Sequence, residues 1–203
     1  MQEKYRVLII GSGGREHAFT WKISLSNKVD KIFVAPGNAG TSQEHKATNI
    51  DISPNDIPAL IQFSKDEQIN LVIVGPEDPL VNGITDQFTA EGINCFGPSA
   101  TAAQLEGSKD YSKAFMQKYD IPTADYSSFE NIEEAKRYAE SKTYPLVIKA
   151  DGLAAGKGVV IAENLESAVK TIDDFMDKET YGQAGKKIII EEFLVGQELS
   201  YIV

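Results

Sequence analysis

With 203 residues, 42% of them hydrophobic and 25% charged, the chain has the composition of a globular protein with an adequate core, which excludes general disorder. Its formal charge of -10 argues against extensive contact with nucleic acid or an anionic membrane surface, since both draw on clustered Lys and Arg. The single cysteine, Cys95, permits no intrachain disulfide, and with only His17 and His45 there is no Cys/His zinc constellation, so a metal, if used, is expected to be oxygen-bound magnesium.

The longest apolar runs, such as Ile188-Ile189-Ile190, are strand-sized and far from the roughly 20 residues a membrane helix requires. Met1-Gln2-Glu3-Lys4-Tyr5 leads straight into a strand without a signal or transit pattern, so the cytoplasm is the expected compartment. Strands are expected at Val7 to Ile10, Lys31 to Ala35, Leu71 to Val74 and Asn94 to Phe96. A helix from Arg15 to Asn27 places Ala18, Trp21 and Leu25 on one face. A second helix is expected from an N-cap at Ser53, with Pro54 at N1, through Gln68, turning Ile57, Leu60, Ile61 and Ser64 inward. Strands alternating with helices predict a doubly wound parallel sheet over the first hundred residues.

The rhythm changes near Thr101. A helical stretch around Ser108 to Tyr119 is expected to stop at Ile121-Pro122-Thr123. A smaller α+β module follows: a helix capped by Asn131 with Glu134 at N3, strands Leu146 to Ala150 and Gly158 to Ala162, a helix from Asn164 and a strand Lys187 to Phe193. Leu199 to Val203 reads as the middle of a strand, which suggests that the sequence is truncated.

Four segments carry candidate chemistry. Gly11-Ser12-Gly13-Gly14-Arg15-Glu16 is a glycine turn between strand and helix, which exposes backbone N–H groups to an anion. Gly11 and Gly13 fit a dinucleotide fingerprint, but its third glycine falls on Glu16, and the second strand ends in Val34-Ala35 rather than an acid, so a phosphate-bearing small molecule is favoured over NAD, with Arg15 as a charged partner. Pro36-Gly37-Asn38-Ala39-Gly40 and Gly75-Pro76-Glu77 follow strand ends of the same unit and are expected at the same rim, with Glu77 able to accept from sugar hydroxyls or an amine. The plain alternative is that these residues only make turns.

Lys149-Ala150-Asp151-Gly152-Leu153-Ala154-Ala155-Gly156-Lys157-Gly158 tempts a Walker A reading, but Gly152 and Gly156 enclose three residues, Gly158 follows Lys157, and the next segment is strand-like. A glycine hairpin is expected instead, with Lys149 on the entering strand and Lys157 near the tip, folding as a lid over a triphosphate. Glu191-Glu192-Phe193-Leu194 offers backbone groups to an adenine edge and apolar walls from Phe193 and Leu194, with Glu198 for ribose hydroxyls; an acidic surface turn would look the same.

Taken in order, these segments, together with Gln104-Leu105-Glu106-Gly107-Ser108-Lys109, resemble the phosphoribosylamine-glycine ligase (glycinamide ribonucleotide synthetase) family of ATP-grasp enzymes over essentially the whole chain. The resemblance implies a Rossmann-like N-terminal domain (1–103) holding 5-phosphoribosylamine, a linker helix and the start of the ATP-grasp core (104–124), a lid (125–189), and the start of the remaining core (190–203). It implies that Lys109 and Lys149 contact ATP phosphates, and that Glu191, Leu194 and Glu198 contact adenine and ribose. ATP would phosphorylate glycine, and the amine of phosphoribosylamine would attack the acyl phosphate. The family's Mg2+ (or Mn2+) ligands and glycine site are expected beyond position 203, which leaves the activity of this piece open. Two rival readings stand beside it: a nucleotide- or phosphosugar-binding fragment without turnover, and an NAD or sugar-nucleotide-dependent enzyme.

Overall fold

The computed structural model describes residues 4–154, 157–178, 180 and 182–201. The chain divides into two compact units, Met1–Gln104 and Leu105–Val203.

The first unit runs β1 (Tyr5–Gly11), α1 (Gly14–Ser24), β2 (Val29–Pro36), β3 (Ala47–Asn49), α2 (Ile57–Asp66), β4 (Leu71–Val74), α3 (Glu77–Val81), α4 (Ile84–Ala90) and β5 (Cys95–Phe96), with α5 (Ala100–Gly107) where the units divide. Its five strands pair in parallel in the order β3-β2-β1-β4-β5. Successive side chains of a strand point to opposite faces, and both faces here are covered. Leu8 and Ile10 join Phe33, Leu60, Val72 and Phe88 in one core, while Val7 and Ile9 join Ile32, Val34 and Ile73 in another, with Phe19 and Ile23 of α1 packed against it. Each fully buried large side chain contributes roughly 1.5 to 3 kcal/mol, which is why β1 reads as an unbroken apolar run.

Two local expectations are corrected, and one strand is added. The inward face of α1 is Glu16, Thr20 and Ser24, whereas Ala18, Trp21 and Leu25 are exposed. Polar residues can face inward because Thr20 Oγ1 donates to Glu16 O at 2.7 Å and Ser24 Oγ to Trp21 O at 2.7 Å. The N-cap of α2 is Asp56, which accepts from Ala59 N, and Ser53 lies in the preceding turn. Strand β3, which has no apolar run, exists through its pairing with β2.

The second unit runs α6 (Lys109–Lys118), β6 (Tyr126–Phe129), α7 (Ile132–Glu140), β7 (Leu146–Ala150), β8 (Val159–Ala162), α8 (Leu165–Met176) and β9 (Ile188–Glu192). The strands form an antiparallel sheet in the order β6-β9-β7-β8. Asn131 caps α7 by accepting from Glu133 N and Glu134 N, and Asn164 caps α8. Helix α6 stops before Pro122: Asp120 takes φ 53°, with Ile121 N donating to Met116 O and Asp120 N to Gln117 O, so the left-handed cap ends the helix rather than the proline. Strand β6 is not legible in the sequence, and Leu199 to Tyr201 is not strand, while Ile202 and Val203 lie outside the described residues.

Helices α7 and α8 back one face of this sheet, and on the other Glu191 of β9 is buried against Lys113 of α6. Leu146, Ile148, Ala150, Ala162, Ile188 and Ile190 pack with Ala135, Ala139 and Ala168 of α7 and α8 and with Ile172 and Phe175. The alternate positions point the other way: Val147 and Lys149 are half-buried, and Val159 and Ile161 are 47% and 48% exposed.

Candidate functional site

In the first unit, parallel pairing in the order β2-β1-β4 sets three loops side by side at the carboxyl ends of their strands. Arg15 Nη1 donates to Gly75 O, joining the first loop to the third. Asn38 Nδ2 donates to Ser12 O at 2.9 Å and Gly13 O at 3.2 Å, joining the second to the first. The three predicted loops therefore do converge. Ser12, Gly14, Asn55, Pro76 and Glu77 line a cavity of about 420 Å³ at this rim. Glu77 stands exposed in the first turn of α3.

Glu16 has a role the sequence did not reveal. It is 5% exposed, and its Oε2 accepts from Gly13 N at 2.6 Å, so it caps α1 from within the loop. A Cβ on Gly75 would lie 1.8 Å from Glu16 Oε1, and one on Gly11 2.7 Å from Glu16 Cδ. The carboxylate therefore fills the space that a third fingerprint glycine would leave open. Asn38 is equally committed, its Oδ1 accepting from Gly40 N at 2.7 Å and Thr41 N at 3.0 Å. Asn49 of β3, which the sequence reading missed, donates to Asn38 O at 2.8 Å and packs where a side chain at Gly37 would go.

In the second unit, β7 and β8 form the expected antiparallel hairpin, with Lys149 opposite Val159, and no helix follows the glycine loop. A Cβ on Gly152 would meet Ala184 Cβ at 2.7 Å, and one on Gly158 would meet Ala154 Cβ at 2.6 Å, so these glycines permit close chain packing. Lys157 is exposed, and Gly156 lies outside the described residues. Lys109 sits at the start of α6 and donates to Ala150 O at 2.8 Å and Gly152 O at 3.0 Å, clamping the loop base. Burial pushes its pKa down, against the opposing pull of Asp151. Asp151 also accepts from Ser108 Oγ and Asp110 N, tying the loop to the α6 N-terminus.

Lys149 and Glu191 meet directly, Nζ to Oε2 at 2.9 Å. Lys113 of α6 reaches the same oxygen at 3.3 Å, and Glu191 Oε1 is buried with no hydrogen-bond partner among the described residues. Glu191 is thus a buried ion-pair acceptor whose second oxygen has no described partner. Phe193 and Val195 line a cavity of about 420 Å³ with Tyr138 and Tyr144, while Leu194 and Glu198 are exposed in irregular chain. No described interaction joins Glu198 to Lys149 or Glu191. The sequence reading missed Lys113, Val147, Val159 and Ile161; for the three apolar residues the period-two alternation of β7 and β8 was the available signal. Among the described residues, no group of three or more His, Cys, Asp or Glu side chains is placed to hold a metal ion.

The same fold occurs in the biotin carboxylase domain of Hydrogenobacter thermophilus 2-oxoglutarate carboxylase, at a TM-score of 0.76 and 20% identity over 96% of this chain and 45% of that one. Residues 107–203 match the family model described as phosphoribosylglycinamide synthetase, ATP-grasp (A) domain, which gives the protein its class. Residues 5–106 match the model of phosphoribosylglycinamide synthetase, N domain, and the chain belongs to the phosphoribosylglycinamide synthetase family. It is 53% identical over 197 residues to the phosphoribosylamine-glycine ligase of Haemophilus influenzae, and 54% identical over 198 residues to that of Vibrio cholerae. A crystal structure of the Thermotoga maritima phosphoribosylamine-glycine ligase matches at a TM-score of 0.74 and 34% identity, over 95% of this chain and 44% of that one. The chain spans 46% of the length of the two curated relatives.

Proposed function

We propose that this chain supplies the phosphosugar-binding and part of the ATP-binding machinery of an enzyme that joins glycine to 5-phosphoribosylamine, giving glycinamide ribonucleotide, ADP and phosphate in purine biosynthesis. The observation that carries the reading is the continuous match to both synthetase domains over residues 5–203, on a chain whose rim and open sheet face present suitable groups. The rim includes the start of α1, whose first backbone N–H groups have no partner within the helix itself, and Glu77 is available to the amine or hydroxyls of the sugar. Glu16, Asn38 and Gly75 hold that rim in shape rather than meeting the ligand.

The open face of the second sheet suits a nucleoside triphosphate, with Val147, Val159 and Ile161 for the base and Lys149 for the phosphates. The lid assignment of 125–189, with Gly152, Gly156, Lys157 and Gly158 over the phosphates, belongs to this proposal, as does the hinge at Glu191 to Leu194. In phosphoryl transfer the protein mainly positions groups and neutralises charge, and the lysines of this chain serve those ends. A divalent cation acts with ATP, on ligands assigned outside these 203 residues. The compartment is the cytoplasm; among the described residues no helix is long and apolar enough to cross a membrane.

The test is ATP turnover in this chain and in a form extended to the relatives' length. Turnover in the extended form that requires both glycine and phosphoribosylamine supports the reading, and turnover indifferent to either refutes it. The 203-residue chain is expected to show negligible turnover.

A further inference from the structure

We infer that Lys113 is the standing counter-ion of Glu191, a positioning residue that frees Lys149 to exchange its carboxylate partner for an anionic ligand. This rests on the reading of Lys149 as a phosphate contact. Two ammonium groups meet one oxygen, Glu191 Oε2, at 3.3 Å from Lys113 and 2.9 Å from Lys149. They are held very differently. Lys113 Nζ also donates to Thr123 Oγ1 at 2.8 Å and to Ala124 O at 3.1 Å, lies 5.5 Å from the Tyr126 ring centroid, and has a side chain only 8% exposed. Its three protons thus have three acceptors. Lys149 has Glu191 as its one described partner and a side chain 26% exposed.

The asymmetry sets which cation can leave. A buried carboxylate without a counter-charge is costly, and Glu191 already carries an unmet oxygen in Oε1. Were Lys149 its sole cation, each transfer of Lys149 to a phosphate would strand that charge. With Lys113 anchored by a hydroxyl and a carbonyl, Glu191 keeps a partner throughout, and Lys149 is released at lower cost. Lys113 reaches Glu191 from α6, and Lys109 clamps the glycine loop from the same helix, so one short helix carries both supports of the face.

The competing role for Lys113 is a tether between α6 and residues 123–124, and the experiment separates the two. ATP is titrated calorimetrically into the form extended to the relatives' length and into its Lys113→Met, Lys113→Arg, Glu191→Gln and Lys113→Met/Glu191→Gln variants. Lys113→Met is expected to weaken ATP binding by roughly ten- to a hundredfold, because Lys149 becomes captive to Glu191. Lys113→Arg retains most of the affinity. The double variant returns to within a few-fold of Glu191→Gln alone, since a neutral amide needs no counter-ion. Lys113→Gln, which keeps a donor for Thr123 or Ala124 but not the charge, replaces Lys113→Met if that variant does not fold. A loss that persists in the double variant would establish the tether and overturn the inference. So would equal affinity in Lys113→Met and the unmodified chain. An unmodified extended form that binds no ATP would instead overturn the nucleotide-site reading, and this inference with it. Thermal unfolding supplies a ligand-free arm: Lys113→Met with Lys149→Met is expected to lower Tm by more than the two single losses together, and strictly additive losses would contradict the redundancy.

Discussion

The two sheets of this chain solve the problem of presenting polar groups in opposite ways. The parallel sheet is covered on both faces, so β1 reads as continuous burial and only the loops beyond its strands are left for chemistry. The antiparallel sheet is covered by α7 and α8 on one face, so β7 alternates buried with half-buried residues, and on the other face the β7–β8 hairpin is offered directly. The rim of the first unit is knitted by neutral bonds from Asn38 and Asn49 and by the buried cap of Glu16, all of them satisfied within the loops. The face of the second unit holds, among the described residues, a charge cluster with one unmet oxygen and a lysine with a single partner. A fixed rim suits an anion held by backbone N–H groups already in place, whereas an exchangeable ion pair suits one held by a side chain that changes partner.

The contrast can be broken most severely at Gly75. Gly75→Ala would drive a methyl group into the buried Glu16 carboxylate, and an expected loss of about 3 kcal/mol in the urea unfolding free energy checks it. Asn38→Ala removes the bonds between the first two loops and leaves Gly40 N and Thr41 N without their acceptor, for about 2 kcal/mol by the same measurement. Either variant that unfolded like the unmodified chain would show that the rim is not fixed by these contacts. In the second unit, Asn131→Ala is expected to cost about 1 kcal/mol, the ordinary loss of a helix cap. The smallest effect concerns Cys95, whose thiol burial pushes up to about 11 from 9.0. Because the folded value is the higher, its contribution to stability is complete below pH 9 and is lost as pH rises toward 11. Alkylation by iodoacetamide at pH 8 should accordingly be much slower than that of free cysteine, and equal rates would show the thiol to be open.

What the sequence reveals follows the same division. Strands β1, β2 and β4 are legible because burial on both faces demands unbroken apolar runs, and β7 because its run is flanked by a proline and a glycine loop. Strand β3 is three residues long, and β6, Tyr-Ser-Ser-Phe, carries little apolar signal; both are fixed by partners far along the chain. The face of α1 was misread because a rule that sends apolar residues inward cannot see that Thr20 and Ser24 satisfy their hydroxyls on the helix itself. In the candidate site, the glycine turns and Lys149 stand out locally, whereas the pairing of Lys149 with Glu191 joins residues 42 apart and Lys113 resembles any helical lysine until the fold sets it against them.

In the proposed function the open face of the second sheet takes nucleotide through Lys149, ahead of the hairpin tip. A lysine on a packed strand has less freedom to lose on binding than one at a glycine-rich tip, so its charge is the better organised. Calorimetric titration of ATP into Lys149→Ala and Lys157→Ala variants of the extended form tests this directly. The expected result is a loss of roughly one to two orders of magnitude in affinity for Lys149→Ala and a smaller loss for Lys157→Ala. Equal losses, or a larger one for Lys157→Ala, would contradict the account and assign the phosphate contact to the tip.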